Sequence, residues 1–181
     1  MNQGPEHNKI RMRALVALGV GLCGFVHARF LHAQDTRDVI EPKVPRVCTS
    51  LSAGLHSENG KLPKAAEANL DTARIQEAID HCVAGRAVEL RADGGHNAFL
   101  SGPLELRPSV TLLVTGGAVL FASRNAREYD VQPGACGLVN QDGRGCKPLI
   151  SARNAPHSAV MGEGVIDGQG GERLLHQASS W

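Results

Sequence analysis

Across 181 residues, 19 Lys and Arg stand against 18 Asp and Glu, a formal net charge of +1. That balance excludes an electrostatic footprint for nucleic acid or an anionic membrane. With only 3% aromatic residues, the chain is also poorly equipped as a carbohydrate module that binds sugars by stacking.

Residues 1–33 read as an export signal peptide. Lys9, Arg11 and Arg13 form the positive region, Ala14 to Val26 is an uncharged run, and a cut is expected after Ala28 or Ala33. The run is too short to span a bilayer, which takes about 20 apolar residues. The expected location is therefore exported, periplasmic or extracellular, with no membrane contact after cleavage. Residues 34–70 read as an N-terminal arm with Pro42 and Pro45, a first short strand at Val47 to Leu51, and a loop from Ser52 to Asn69 with an Asn59-Gly60 turn.

Residues 71–181 read as a helix followed by short strands. Asp71 is a good N-cap, and Ile75, Ala78, Ile79 and Cys82 recur at i, i+3, i+4 and i+7, so one helix face is apolar. Gly85 stands just past the end, where a left-handed residue is wanted. Strands are predicted at Ala87–Leu90, Ala98–Ser101, Leu104–Leu106, Val110–Val114, Ala118–Phe121, Leu149–Ile150 and Ala159–Met161. Gly, Pro and Asn signals separate them. The stretch Gly162-Glu163-Gly164-Val165-Ile166-Asp167-Gly168-Gln169-Gly170 then reads as tight turns around one more short strand.

Sandwiches, barrels and solenoids share such spacing. Strands shorter than the usual five or so residues, after a single helix and with no later crossover helices, favour a solenoid. The expectation is all-β: a right-handed parallel β-helix, truncated, whose first coil is covered by the N-terminal α-helix. Export sends Cys48, Cys82, Cys136 and Cys146 to an oxidising compartment, where an even number suggests two disulfides. Pairing Cys48–Cys82 would tie the arm to the helix, and Cys136–Cys146 would close a glycine-rich loop. Their spacings do not fit a zinc site.

Four segments in order carry a family resemblance. Asp71-Thr72-Ala73-Arg74-Ile75-Gln76-Glu77-Ala78-Ile79-Asp80-His81-Cys82 resembles a helix of glycoside hydrolase family 28, the polygalacturonase or pectinase family. Phe99-Leu100-Ser101-Gly102-Pro103-Leu104-Glu105-Leu106 is similar to a strand pair of that family. Val110-Thr111-Leu112 with Gly117-Ala118-Val119-Leu120 follows, then the Ile166-Asp167-Gly168-Gln169-Gly170 segment. The resemblance implies inverting hydrolysis of the α-1,4 bonds of galacturonan in pectin, with pectin or polygalacturonate as the only partner and no metal or organic cofactor. It also implies an Asn-Thr-Asp motif, an Asp-Asp pair, a Gly-His-Gly motif and an Arg-Ile-Lys motif, and none of these occurs in the 181 residues.

No catalytic, cofactor-binding or metal residue is therefore assigned. The chain is expected to be the inactive N-terminal portion of such an enzyme, its chemistry lying beyond Trp181. Gly95-His96-Asn97 and Arg74-Ile75-Gln76 are near-matches read as structural, and Asp167 is read as a turn residue. Two alternatives share the architecture: a non-catalytic binding or adhesin-type β-helix, and a related rhamnogalacturonan- or pectin-active enzyme.

Overall fold

The computed structural model describes residues 40–138, 144–177 and 180. The signal-peptide segment 1–33 lies outside the described residues, as does the start of the arm. Nine strands and one α-helix are described: β1 Val47–Ser52, α1 Thr72–His81, β2 Arg86–Arg91, β3 Ala98–Ser101, β4 Leu104–Glu105, β5 Val110–Val114, β6 Val119–Ala122, β7 Ile150–Ser151, β8 Ala159–Met161 and β9 Val165–Asp167. Every strand–strand pairing is parallel, in three sheets ordered β1-β2-β5-β8, β3-β6-β9 and β4-β7. The chain visits the three sheets in rotation. Strands β2, β3 and β4 make one full coil, β5, β6 and β7 the next, and β8 and β9 begin a third. This is a right-handed parallel β-helix, with β1 lying beneath the first coil.

Register explains the core. Val88, Leu112 and Val160 form one inward column, and Phe99, Leu120 and Ile166 form another. The first two members of each column are fully buried, and they join a cluster that includes Leu90, Leu104 and Val114. Stacking like residues coil upon coil removes apolar surface from water without needing a second layer of structure.

The helix closes the N-terminal end of this core. Ile75 and Ile79 are fully buried and Ala78 nearly so, all within the same cluster. Asp71 is the N-cap residue, but its side chain makes no capping bond. Its carboxylate instead accepts from the Leu100 amide at 2.9 Å and from Arg74 Nε at 2.7 Å, while its own amide donates to the Leu100 carbonyl. The carboxylate thus fastens α1 to β3. Gly85 is left-handed at φ 76°, but it does not cap the helix: its amide donates to the Ser109 carbonyl, one coil on. Cys82 is the C-cap residue, its amide bonded to the Ile79 carbonyl.

Both expected disulfides are present, Cys48–Cys82 and Cys136–Cys146. Strand boundaries move by a residue or two, β4 ending at Glu105 and β7 running Ile150–Ser151. Within the stretch expected as loop, Lys64–Ala68 forms a 3-10 helix, and a second such turn covers Ala126–Tyr129.

Candidate functional site

The outward faces decide what the coils present to solvent. On β4 and β7, Leu104 pairs with Ile150 and Glu105 with Ser151. Leu104 faces the core, with Ile150 packed against it. Side chains alternate along a strand, so Glu105 and Ser151 point outward. Gln76, on the flank of α1, ties the helix to this sheet: its amide nitrogen donates to the Glu105 carbonyl, and its oxygen accepts from the Glu105 amide.

Around that outer face lies a cavity of about 400 Å³, lined by Gln76, Glu105, Arg107, Lys147, Ser151 and Arg153 among others. Among the described residues three cations line it against one carboxylate. Arg107 Nε donates to Asp80 Oδ1 at 2.7 Å, which raises the guanidinium pKa above its ordinary value. The side chains of Lys147 and Arg153 are exposed and make no hydrogen bond or ion pair among the described residues. Chemically this is a receptor for negative charge on a shallow, polar floor.

A second cavity of about 400 Å³ lies by the turn after β9 and includes Lys61, Arg124, Asp167, Gln169 and Glu172. Two of its cations, Lys61 and Arg124, are engaged, while Lys64 has no ion pair among the described residues. Lys61 pairs with Glu172 at 2.9 Å, and Arg124 pairs with Glu67 at 2.5 Å in a largely buried contact. Gln169 Nε2 donates to the Ala122 carbonyl and to Glu67, completing a tie between the 3-10 helix and the last coil. Asp167 Oδ1 accepts from the Gln169 amide at 2.8 Å, which is the turn geometry expected of it.

The two near-matches are structural in their contacts. Gly94 and Gly95, at φ 55° and 91°, form a two-residue hairpin closed by reciprocal Asp93 and His96 backbone bonds. Asn97 Oδ1 accepts from the Ser57 amide, and His96 is exposed. Arg74 donates to the Ser52 carbonyl and lies 5.1 Å from the Phe99 ring centroid. Sequence reasoning singled out neither Lys147 nor Arg153. The only signal for them is that both are basic residues flanking the short strand β7.

No protein-family model matches the chain. Over 169 residues it is 38% identical to an endo-polygalacturonase of Pectobacterium carotovorum subsp. carotovorum, covering 93% of this chain and 38% of that protein. A polygalacturonase of Ralstonia solanacearum is 41% identical over 143 residues, covering 74% and 27%. The solved polygalacturonase from Erwinia carotovora ssp. carotovora superimposes with a TM-score of 0.68 at 38% identity, over 82% of this chain and 36% of that one. The chain resembles the polygalacturonases, glycoside hydrolase family 28, over the N-terminal part of their length. The matches favour this family over the adhesin-type alternative. The chain spans 38% of the length of its Pectobacterium relative.

Proposed function

We propose that these coils are the N-terminal part of an exported polygalacturonase that hydrolyses α-1,4-galacturonan in pectin with inversion at the anomeric carbon. One observation carries the reading: 38% identity to an endo-polygalacturonase across 93% of the chain, on the coil order described above. Two disulfides fit the oxidising compartment that export implies. Among the described residues no helix is long and apolar enough to cross a membrane.

Inversion needs an acid and a carboxylate base about 6.5–9.5 Å apart, on opposite sides of the scissile bond. Asp167, held in its turn, is not assigned to that pair. On this reading the acid and base come from residues outside these 181, and the chain alone releases no reducing ends from polygalacturonate.

A hybrid tests the proposal. These residues would replace the matched segment of the Pectobacterium carotovorum endo-polygalacturonase. The folded hybrid should release reducing ends from polygalacturonate, with the inverted anomer formed first. A hybrid that shows native near-ultraviolet dichroism but no hydrolysis would overturn the reading, as would hydrolysis confined to rhamnogalacturonan.

A further inference from the structure

We propose that Glu67, Arg124 and Gln169 form a buried latch that sets the course of the third coil, and that Gln169 and Arg124 are thereby positioning residues for hydrolysis. The inference rests on the polygalacturonase reading for the activity that reports it, and on the latch itself for the residues.

Backbone conformation gives the first argument. Gln169 stands between Gly168 and Gly170 at φ 50°, in the left-handed region where a side chain is disfavoured and glycine is at ease. A glycine would make the same turn without strain. What the glutamine adds is its side chain, and the residue is only 7% exposed. Its Nε2 donates to the Ala122 carbonyl at 2.7 Å, at the end of β6, and lies 3.5 Å from Glu67 Oε1.

Burial gives the second. The side chains of Glu67 and Arg124 are 4% and 10% exposed. Glu67 accepts from Arg124 Nε at 2.5 Å and from the Arg124 amide at 3.3 Å. Arg124 Nη1 donates in turn to the Arg173 carbonyl at 3.3 Å, and the Arg124 carbonyl accepts from the Leu175 amide at 2.9 Å. One carboxylate thus ties the 3-10 helix Lys64–Ala68 to the second and third coils. Replacing a buried ion pair by apolar residues of similar volume is often neutral for stability, so stability alone is a weak reason to keep one. Geometry is the stronger reason, because a planar guanidinium fixes direction as well as distance.

What the latch fixes is a corner. In the first two coils, β3 and β6 each lead on to a strand of the β4–β7 sheet. Residues 169–175 follow β9 at the same place, where the third coil turns towards that sheet. The angle of this turn sets the line of whatever stacks upon it, and a misplacement of about 1 Å can cost a rate of about a hundredfold.

The hybrid enzyme carries the test. Gln169→Gly should keep the melting temperature of the parent hybrid, because relief of backbone strain offsets the lost hydrogen bond. Its kcat on polygalacturonate should nevertheless fall about tenfold, with KM within about twofold. Arg124→Lys should lower kcat similarly although the charge is kept, since an ammonium cannot reproduce the fork to Glu67 and Arg173. Lys61→Gln breaks the exposed Lys61–Glu172 pair near the same corner and should leave kcat unchanged. Unaltered kcat in both Gln169→Gly and Arg124→Lys overturns the proposal. So does a loss of activity that only follows the folded fraction, or a KM that rises while kcat holds.

The 181-residue chain supplies a measure that needs no activity. Hydrogen exchange in the peptide covering residues 172–177 should accelerate about tenfold in Gln169→Gly and Arg124→Lys, and not in Lys61→Gln. Unchanged exchange sinks the latch alone and leaves the polygalacturonase reading standing. An inactive, folded parent hybrid sinks that reading and the role in hydrolysis with it, while the exchange contrast still establishes what holds the corner.

Discussion

At the scale of single residues, the glycines of the Gly162 to Gly170 stretch divide into two kinds. Gly162 has φ 113°, and a Cβ there would collide with the Val114 carbonyl. A Cβ on Gly164 would lie 2.5 Å from Val114 Cγ1 and 2.6 Å from the Thr115 carbonyl. Gly168 and Gly170 would meet nothing within 4 Å. Gly162→Ala should therefore cost at least about 3 kcal/mol, combining a forbidden backbone conformation with a clash. Gly170→Ala should stay within about 0.5 kcal/mol of wild type. Urea denaturation of the two variants checks the contrast, and equal midpoints would contradict it. Asp71 behaves differently from an ordinary cap. Losing an ordinary cap costs about 1 kcal/mol, but Asp71→Ala instead orphans the buried Leu100 amide and releases Arg74. We expect a loss of about 2–4 kcal/mol, with Asp71→Asn recovering part of it because an amide oxygen still accepts from Leu100. If thermal melting places alanine and asparagine at the same midpoint, the tie between α1 and β3 is not what Asp71 contributes.

Among elements, the helix and the disulfide loops hold the coils at their edges. Ile79→Asp puts an unpaired charge against Phe99, Leu90 and their neighbours. It should cost about 3–5 kcal/mol and lower the melting temperature clearly. A surface change on the same helix, Glu77→Gln, should leave the melting temperature alone. The chain-entropy model assigns roughly 3.8 kcal/mol to the Cys48–Cys82 bridge and roughly 2.8 kcal/mol to Cys136–Cys146, from loops separated by 34 and 10 residues. In the loop that leads into the second bridge, the Asp130 carboxylate accepts from the Cys136 amide at 2.7 Å and the Gly134 amide at 2.8 Å, with Arg127 beside it. The Cys136 bond, with that of Gly134, favours the ionised form and holds Asp130 below its usual range. A depressed pKa means that the loop is stabilised above the unfolded value of about 3.9. That stabilisation is lost as pH falls through the folded value. Amide exchange at Gly134 and Cys136 should accelerate below about pH 4, and Asp130→Asn should abolish that step. An acceleration that persists in Asp130→Asn would assign it to another group.

For the molecule as a whole, the third coil decides behaviour. Val160 and Ile166 continue inward columns whose lower members are fully buried, yet they are 44% and 40% exposed. Val165 beside them is 53% exposed. Solenoids are stable only when neighbours bury each coil's core face. Expressed as these 181 residues, the chain should self-associate and bind a hydrophobic dye through this end. Val160→Lys with Ile166→Lys should reduce both effects. Light scattering that finds a monodisperse wild-type monomer with a sharp melting transition would refute this.

What the sequence by itself determined was what depends on local pattern. The spacing of Ile75, Ala78 and Ile79 made a helix with one buried face, and the short apolar runs between Gly and Pro made strands. The ordered motifs from Asp71 to Gly170 named the family, because motif order is a property of sequence alone. Tertiary structure decided everything that depends on which coil lies over which. Asp71 was legible as a cap, and only the approach of Leu100, 29 positions away, turned it into a tie between elements. Gly85 looked like a helix terminator and became the corner of a coil. Glu67 stood in an unremarked loop until Arg124, 57 positions on, met it in a buried ion pair. Lys147 and Arg153 carried only the weak signal of flanking one short strand. The register of β7 on β4 is what brings Glu105 and Arg107 to the same groove, and hydrogen bonding between distant strands, not residue spacing, sets that register.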